Sequence, residues 1–301
     1  MRVRIRVPAT SANLGPGFDV LGLALALHNE MAFEEFDGVS VSIEGEGANR
    51  IETGGDNVVV RGARMAFEAA GRPWKGVRLH CLNRIPASRG LGSSAAAWVG
   101  GLVGGNALCG APLDRDTLLS LAARAEGHPD NVTAALLGGL TVSCWAGDRV
   151  AAVSVPVPGN IHWVVLVPET EGSTREARAV LPDSVSRADA VFNLQRVSLF
   201  LAALAAGRSD LLSVAMEDRL HQPYRWPLFP WLPETVAAGL EAGALGCVLS
   251  GAGPSLLAAV PDSSGRRVAE RMEGALRRAG VEGRALVLPV DTAGAVWDRV
   301  S

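Results

Sequence analysis

Lysine is almost absent from this chain of 301 residues. Lys75 is the only lysine, and the other 27 of the 28 basic residues are arginines. A Walker A loop requires Gly-Lys followed by Ser or Thr, whereas Lys75 stands between Trp74 and Gly76. The sequence therefore excludes the P-loop class of nucleotide-binding proteins. If the chain binds nucleotide phosphates, it does so without a P-loop lysine.

The sequence also lacks the ligand patterns of zinc sites. No two of its four cysteines form a Cys-x-x-Cys pair, and its five histidines do not cluster. We expect the cysteines to be buried free thiols, as is typical of a reducing compartment. They are Cys81, Cys109, Cys144 and Cys247.

An excess of positive charge is absent as well. The formal net charge is -3, which argues against a nucleic-acid partner. At the N-terminus, arginines at positions 2, 4 and 6 alternate with apolar residues, which predicts a strand rather than a signal peptide. The run from Gly90 to Leu113 carries no charge, but it contains seven glycines. It predicts a buried helix rather than a membrane span, so we expect a cytoplasmic protein without membrane contact.

The hydrophobic patterning predicts an α+β protein. A Pro- and Gly-containing stretch at 153–159 predicts a boundary between an N-terminal domain, 1–155, and a C-terminal domain, 156–301. Residues 8–19 are expected to form a loop. Strands are expected at 2–7, 20–27, 31–36, 39–44, 77–83, 140–145, 150–155, 161–167, 245–249, 255–260 and 284–289. Helices are expected at 57–70, from about 93 to 108, and at 114–126, 187–206, 209–220, 233–242 and 266–279.

A glycine-rich segment carries the strongest local signal for chemistry. Glycines let a backbone approach a ligand closely, and a serine can cap the helix that follows. Consecutive amides at a helix N-terminus form an anion site. A tight turn before a buried helix is the alternative, but the serine pair favours phosphate binding. The segment is Pro86, Ala87, Ser88, Arg89, Gly90, Leu91, Gly92, Ser93, Ser94, Ala95, Ala96 and Ala97.

A second polar segment, EGHPDN at 126–131, lies between a predicted helix and an apolar run. Glu126 could bind Mg²⁺, and Asp130 or Asn131 could receive or orient a substrate hydroxyl. Equally, Asp130 could be a plain helix N-cap and His128 a hydrogen-bonded loop residue. Taken alone, this hexapeptide favours the structural interpretation.

Two further segments leave two interpretations open. In PATSANLGPGFD at 8–19, Asn13 and Asp19 could bind an amine-bearing ligand or only hydrogen-bond their own turn. In SGAGPS at 250–255, small residues fit either a ligand contact or a hairpin turn.

Two arginines are further candidates. Arg178 and Arg225 could clamp a carboxylate, although composition alone does not select them among 27 arginines.

In their order and spacing, the four segments PATSANLGPGFD, PASRGLGSSAAA, EGHPDN and SGAGPS resemble the GHMP small-molecule kinases, and among these the homoserine kinases. The resemblance extends from residue 3 to about residue 290. It implies a GHMP kinase fold, with a ribosomal-protein-S5-like N-terminal domain and a ferredoxin-like C-terminal domain. It also implies ATP and Mg²⁺ as cofactors, L-homoserine as the substrate, O-phospho-L-homoserine as a product of threonine biosynthesis, and a homodimer.

The resemblance further implies roles for single residues. Residues 86–96 would wrap the ATP phosphates, and Asn57 would lie near the adenine. Ser94 and Glu126 would hold Mg²⁺, with Ser93 as the reserve ligand. Thr174 would lie near the transferred phosphoryl group. The homoserine pocket would contain Asn13, Asp19, His128, Asp130 and Asn131, with Arg178 and Arg225 on the carboxylate.

Phosphoryl transfer proceeds through a loose transition state, so positioning and electrostatics dominate catalysis. We expect Asp130 to orient the hydroxyl rather than to abstract its proton fully. Two alternatives are kept. Another GHMP kinase, of the mevalonate or shikimate type, would not need a partner for a substrate ammonium. A non-catalytic nucleotide or amino-acid sensor would not need a metal site.

Overall fold

The computed structural model describes residues 1–300, and within them the chain forms two β-sheets flanked by helices. The strands are β1 (Arg2–Asn13), β2 (Gly17–Glu35), β3 (Gly38–Gly45), β4 (Gly76–Asn83), β5 (Leu140–Ala146), β6 (Arg149–Val155), β7 (Ile161–Pro168), β8 (Gly246–Leu249), β9 (Leu256–Pro261), β10 (Gly283–Leu288) and β11 (Val296–Arg299). The helices are α1 (Val58–Ala69), α2 (Ser93–Leu108), α3 (Arg115–Glu126), α4 (Asp130–Leu137), α5 (Thr174–Ala179), α6 (Arg187–Ala205), α7 (Leu212–Ala215), α8 (Gln222–Arg225), α9 (Leu232–Glu241) and α10 (Gly265–Arg278).

The first sheet has the strand order β11-β1-β2-β4-β3, and β5 pairs with β2 and β6. All these pairs are antiparallel except β3–β4. The inner face of β1 buries Val3, Ile5 and Val7, while the arginines between them point outward, as the alternation predicts. Helices α1, α2 and α4 pack against this sheet, and α1 and α4 also pack against α2. α2 is buried along most of its length, which confirms the expectation of a buried helix after residue 90.

The second sheet has the antiparallel order β10-β7-β9-β8. When β7, β8, β9 and β10 are numbered 1 to 4 in chain order, their order across the sheet is 4-1-3-2. Helices connect β7 to β8 and β9 to β10. This is the ferredoxin-like arrangement that the resemblance implies. Helix α10 covers the sheet with an apolar stripe that buries Val268, Met272 and Leu276.

Several boundaries differ from the expectations. Residues 8–13 are not a loop, because β1 continues through them with register shifts at Pro8/Ala9 and Ala12/Asn13. The two strands expected at 20–36 are one long strand, β2. The helix expected at 209–220 is a 3₁₀ turn, Ser209–Leu211, followed by the single turn of α7. Four elements were not among those expected from the sequence, namely α4, α5, α8 and β11.

The last strand, β11, does not follow the predicted division into domains 1–155 and 156–301. β11 pairs with the outer edge of β1, so the described C-terminus adds a strand to the first sheet rather than to the second. Residues 156–301 are therefore not all part of the second sheet and its helices. The boundary at 155/156 itself stays a prediction.

Two other expectations concern surfaces. Cys81 and Cys109 are buried free thiols, but Cys144 is exposed on β5, so the expectation of four buried cysteines was wrong. Helix α6 is long and apolar enough, by length and composition, to cross a membrane, although a single helix of this kind is weak evidence for a span. It has an exposed apolar side that includes Val191 and Leu194.

Candidate active site

A cleft of about 550 Å³ lies where segments from both halves of the chain meet. The first half contributes the end of β1, the start of β2, the glycine-rich loop before α2, and the ends of α3 and α4 that face this loop. The second half contributes residues 171–174, 176, 178, 225 and 251–252. All four sequence segments selected above therefore supply residues to one cleft, although they are far apart in the chain.

The glycine-rich loop needs glycine at two positions. Gly90 and Gly92 have φ angles of 74° and 66°, a region that side chains with a Cβ disfavour. A Cβ on Gly92 would lie 1.9 Å from Oγ1 of Thr10, and one on Gly90 would lie 2.3 Å from the carbonyl oxygen of Ser250. The loop therefore passes against the end of β1 and the 250–255 turn with no room for a side chain.

Hydrogen bonds from these two neighbours hold the loop. The amide of Thr10 donates to the carbonyl of Leu91 at 3.1 Å, and the hydroxyl of Ser250 donates to the carbonyl of Gly90 at 2.7 Å. The turn 250–255 connects β8 and β9, and the amide of Ser250 donates to the carbonyl of Ser255 at 2.8 Å. This segment is thus both a hairpin turn and a support for the loop, so its two interpretations are compatible.

The start of α2 faces the cleft without a side-chain cap. The first N–H groups of a helix have no intrahelical acceptor, and the helix dipole adds partial positive charge at this end. Ser93 and Ser94 line the cleft there. An uncapped end of a 16-residue helix behind a glycine-rich loop can bind the oxygens of a phosphate chain.

Ser94 and Glu126 meet beside this helix end. The Ser94 hydroxyl donates to Oε2 of Glu126 at 2.7 Å. Burial raises the pKa of Glu126 above its ordinary value, and this effect outweighs the Ser94 hydrogen bond and the charge of His128, which act in the opposite direction. A hydroxyl and a carboxylate at this spacing are hard oxygen donors, so the pair fits Mg²⁺ by its chemistry.

Asp130 is almost fully buried at the start of α4, with 2% of its surface exposed. Its Oδ1 accepts hydrogen bonds from Nδ1 of His128 and from the backbone N–H of Asn131, both at 2.6 Å. Burial alone would lower the pKa of His128, but the hydrogen bond and the negative charge of Asp130 raise it above its ordinary value. Pro129 occupies the N-cap position, so Asp130 is the first helical residue rather than the cap.

The Asn131 side chain is fixed between two neighbours. Its Oδ1 accepts from the Thr10 hydroxyl at 2.8 Å, and its Nδ2 lies 3.3 Å from Oδ1 of Asp130. The opposite amide orientation would place two oxygens together at Asp130, so the carboxylate selects the observed one.

Asp19 and Arg178 form a bidentate ion pair across the cleft, with N–O distances of 3.1 and 2.6 Å. Burial acts to lower the pKa of Arg178, but Asp19 more than compensates and raises it. Asn13, at the end of β1, donates from Nδ2 to the carbonyl of Gly251 at 3.0 Å and accepts from the amide of Asp19 at 3.1 Å. Asn13 therefore both shapes its own turn and lines the cleft.

Arg225 is 1% exposed and has no carboxylate partner among residues 1–300. Its Nε donates to the carbonyl of Ala177 at 3.0 Å, and its Nη1 donates to the carbonyl of Gly251 at 3.1 Å. Burial, together with the nearby charge of Arg178, lowers the pKa of Arg225 to about 10. A buried guanidinium that faces a cleft without a counter-ion is a strong attractor for an anionic ligand group.

Not every predicted residue reaches this cleft. Asn57 is buried at the start of α1, where its Oδ1 accepts the N–H of Val59 at 2.9 Å as the helix cap. The cleft lining does not include Pro86, Ala87, Ala95 or Ala96. Ser88, Arg89 and Leu91 do line it, as does Thr174, the first residue of α5. The roles predicted for all these residues stay predictions.

Several cleft residues received no role from the sequence, among them Phe18, Glu171 and Glu176. Phe18 lies under both arginines, with its ring centre 5.5 Å from the guanidinium carbon of Arg178 and 5.3 Å from that of Arg225. Glu171 and Glu176 also line the cleft. Phe18 stands next to Asp19, which could have drawn attention to it, whereas Glu171 and Glu176 lie in a polar stretch with no motif.

Comparison with known proteins agrees with this geometry. The family model described as the GHMP kinases N-terminal domain matches residues 57–139, and the model described as the GHMP kinases C-terminal matches residues 200–278. A homoserine kinase of Moorella thermoacetica is 48% identical over 92% of this chain and 94% of its own length. One of a Synechococcus strain is 45% identical over 98% of this chain and 95% of its own length.

A solved structure extends the likeness to three dimensions. The crystal structure of homoserine kinase from Cytophaga hutchinsonii superposes with a TM-score of 0.89 at 29% identity, covering 99% of this chain and 97% of that one. The likeness therefore extends over both sheets.

Proposed function

This chain belongs to the homoserine kinases of the GHMP kinase family, and from that membership we propose that it transfers the terminal phosphoryl group of ATP to the side-chain hydroxyl of L-homoserine. The products are ADP and O-phospho-L-homoserine, an intermediate on the way to threonine. The membership makes the protein a kinase that uses ATP. The assignment of single residues to this reaction is our proposal.

The glycine-rich loop and the start of α2 would bind the ATP phosphates. The uncapped amides and the helix dipole favour the negative charge that develops on the phosphoryl oxygens. Ser94 and Glu126 would hold Mg²⁺, which supplies charge neutralisation when it is bound. The raised pKa of Glu126 fits a carboxylate that is placed for a cation and carries an energetic cost without one.

The opposite wall suits a zwitterion. The carboxylate of an α-amino acid can bind Arg225, which lacks a counter-ion, and Arg178 beside it. Its ammonium can bind Asp19 together with Asn13 and the His128–Asp130 pair. An acceptor without the ammonium would bring one negative charge and leave Asp19 to compete with it for Arg178. The charge pattern therefore favours homoserine over mevalonate and shikimate.

Asp130 and Asn131 would orient the attacking hydroxyl. Oδ1 of Asp130 already accepts from His128 and from Asn131, so Oδ2 is the oxygen that can accept the hydroxyl hydrogen. Little proton abstraction is needed early, because the attacking hydroxyl stays protonated until late in a loose transition state. Thr174 would lie beside the transferred group, since it faces the cleft at the start of α5.

The observation that carries this proposal is the charge arrangement of one cleft: an uncapped helix end on one wall and the unpaired Arg225 beside Asp19–Arg178 on the other. A coupled ADP-release assay with homoserine, mevalonate and shikimate tests it. We expect ADP only with homoserine, with the product identified by phosphorus NMR. Turnover of another alcohol in place of homoserine would contradict the proposal, and binding without any turnover would favour a sensor.

A cytoplasmic location, a homodimer and the absence of nucleic-acid and membrane partners stay predictions. The requirement for Mg²⁺ belongs to the same proposal as the Ser94–Glu126 pair, and a Mg²⁺ titration of Glu126→Gln tests both together. We expect the half-saturating Mg²⁺ concentration to rise in this variant.

A further inference from the structure

The guanidinium of Arg225 contacts His221, a buried histidine to which the proposed reaction assigns no role. Nδ1 of His221 lies 3.2 Å from Nη1 of Arg225, and the same Nη1 also contacts the carbonyl of Gly251 at 3.1 Å. With Nε on the carbonyl of Ala177, these contacts fix the guanidinium plane. Among residues 1–300, Nη2 makes no hydrogen bond, so it is the donor that remains for a ligand.

The contacts of His221 determine its protonation. A guanidinium can only donate, so Nδ1 of His221 must be the acceptor and carries no proton. Nε2 lies 2.8 Å from the carbonyl oxygen of Gly15, which can only accept, so Nε2 carries the proton. The ring is therefore neutral in one tautomer. The net effect on its pKa agrees with this: burial and the charge of Arg225 lower the pKa of His221, and they outweigh the charge of Asp218, which acts to raise it.

The backbone of His221 is itself fixed. The buried Asp218 carboxylate accepts the N–H groups of His221 at 3.0 Å and Gln222 at 2.7 Å, and it accepts Nδ2 of Asn193 on α6 at 2.7 Å. The ring stacks on Phe18 with centroids 5.3 Å apart. These contacts hold the ring of His221 in one orientation, which in turn orients Arg225.

We propose that His221 is a positioning residue that aims the free Nη2 of Arg225 at the substrate carboxylate by accepting a hydrogen bond from Nη1. His221 touches no reacting atom itself. Its contribution is specific to the carboxylate end of the acceptor. This inference rests on the proposed function, since it assigns that carboxylate to Arg225.

Two substitutions separate the two ring contacts. In His221→Asn, the amide oxygen can take the place of Nδ1 and still accept from Arg225, but the contact with Gly15 is lost. In His221→Gln, the amide nitrogen can take the place of Nε2 and still donate to Gly15, but the acceptor for Arg225 is lost. Both variants remove the stacking on Phe18, so they are matched controls for each other.

We expect His221→Gln to raise the KM for homoserine about tenfold, because the guanidinium of Arg225 remains but its Nη2 is no longer held toward the carboxylate. The KM for ATP should not change, and His221→Asn should keep a KM for homoserine within a few-fold of the wild type. An equal rise in both variants, or no rise in His221→Gln, would overturn the proposal.

A substrate analogue separates positioning from a general structural effect. 3-Aminopropan-1-ol is homoserine without its carboxylate, and its kcat/KM, or its inhibition constant if it is not turned over, should be nearly the same in the wild type and both variants. If His221→Gln impairs the analogue as much as homoserine, the role is merely structural. An absence of homoserine turnover in the wild type would instead refute the proposed function.

The wild-type protein provides a test that does not depend on folded variants. Nitrogen-15 NMR of the histidine rings should show His221 neutral, with Nδ1 unprotonated and Nε2 protonated. The reverse tautomer or a charged ring near neutral pH would overturn the proposal even if neither variant folds.

Discussion

The two walls of the cleft are built in different ways. The proposed phosphate wall is one continuous segment, in which the loop and the first turn of α2 present backbone amides. The acceptor wall consists of single side chains from distant segments, such as Asp19, Arg178 and Arg225. A backbone site is encoded by local sequence, whereas a side-chain site exists only after the two halves of the chain have folded together.

The largest effect should follow from disturbing the backbone wall. In Gly92→Ala, the new Cβ would lie 1.9 Å from Oγ1 of Thr10 at a φ of 66°. The loop must shift, and the phosphates are then misplaced. We expect kcat/KM to fall by about 100-fold or more, because sub-ångström to 1 Å misplacement is costly in phosphoryl transfer.

Gly71→Ala is the control, because Gly71 has a φ of 65° and no atom within 4 Å of the added Cβ. It should lose about 1–2 kcal/mol of stability through backbone strain and keep its kcat. Equal kinetic losses in the two variants would mean that strain alone, and not the shape of the phosphate wall, explains the result.

A smaller and more selective effect is expected on the acceptor wall. Arg225→Leu should weaken homoserine binding by about 1.5–3 kcal/mol, the value of a hydrogen bond to a charged group, and leave ATP binding nearly unchanged. Calorimetry with each ligand measures both. Arg208→Leu removes an exposed arginine paired with Asp210 and should change neither affinity. An equal loss of ATP affinity in Arg225→Leu would erase the distinction between the walls.

The sequence predicted the two walls unequally for the same physical reason. Glycines, serines and a following apolar run identify a loop before a helix without reference to the rest of the chain, and α2 begins at Ser93 as expected. No local pattern pairs Asp19 with Arg178, or leaves Arg225 without a counter-ion. Only the resemblance to a family selected Arg178 and Arg225 among the 27 arginines.

The errors in the fold have a similar origin. Turn-forming residues predicted a loop at 8–19, but pairing with β2 keeps β1 extended to Asn13. The helix expected after residue 209 ends at Ala215, and residues 218–222 turn instead around the buried Asp218. The missed strand β11 is four residues long and forms only because the edge of β1 is available to it. Tertiary contacts thus override local preference at each of these positions.

Asp130 tests whether the acceptor wall orients or activates the hydroxyl. In Asp130→Asn the amide oxygen can still accept a hydrogen bond, so we expect kcat to fall about tenfold. A general base contributes ~10²–10⁴-fold, so a loss near the top of that range would show proton abstraction. The KM for homoserine must be measured with kcat, because the variant also loses negative charge near the substrate ammonium.

The smallest effect on activity is expected outside both walls, at the turn that leads into β11. Asp291 is buried there, its Oδ2 lies 2.7 Å from Nε2 of His28, and its Oδ1 accepts the amides of Ala293 and Gly294 at 2.9 and 2.7 Å. Burial acts to raise the pKa of Asp291, but these hydrogen bonds and the charge of His28 outweigh it and lower the pKa below its ordinary value. The charged carboxylate is therefore favoured in the folded state.

The sign of the pH dependence follows from this lowered pKa. The pKa of this carboxyl is lower in the folded than in the unfolded state. At a pH between these two values the unfolded state binds more protons, so stability is lost as the pH falls through this range. Asp291→Asn should lower the free energy of unfolding by about 1 kcal/mol at pH 7, since the amide oxygen still accepts from the turn. The difference from the wild type should shrink below about pH 4, where the wild type loses this contribution. Urea unfolding at pH 7 and pH 3.5 measures this difference in the free energy of unfolding, with exposed Asp298→Asn as the control.

The same variant tests whether the turn before β11 affects activity. A kcat below half the wild-type value in Asp291→Asn would mean that β11 influences the cleft, so that the phosphate wall and the acceptor wall do not account for the whole site.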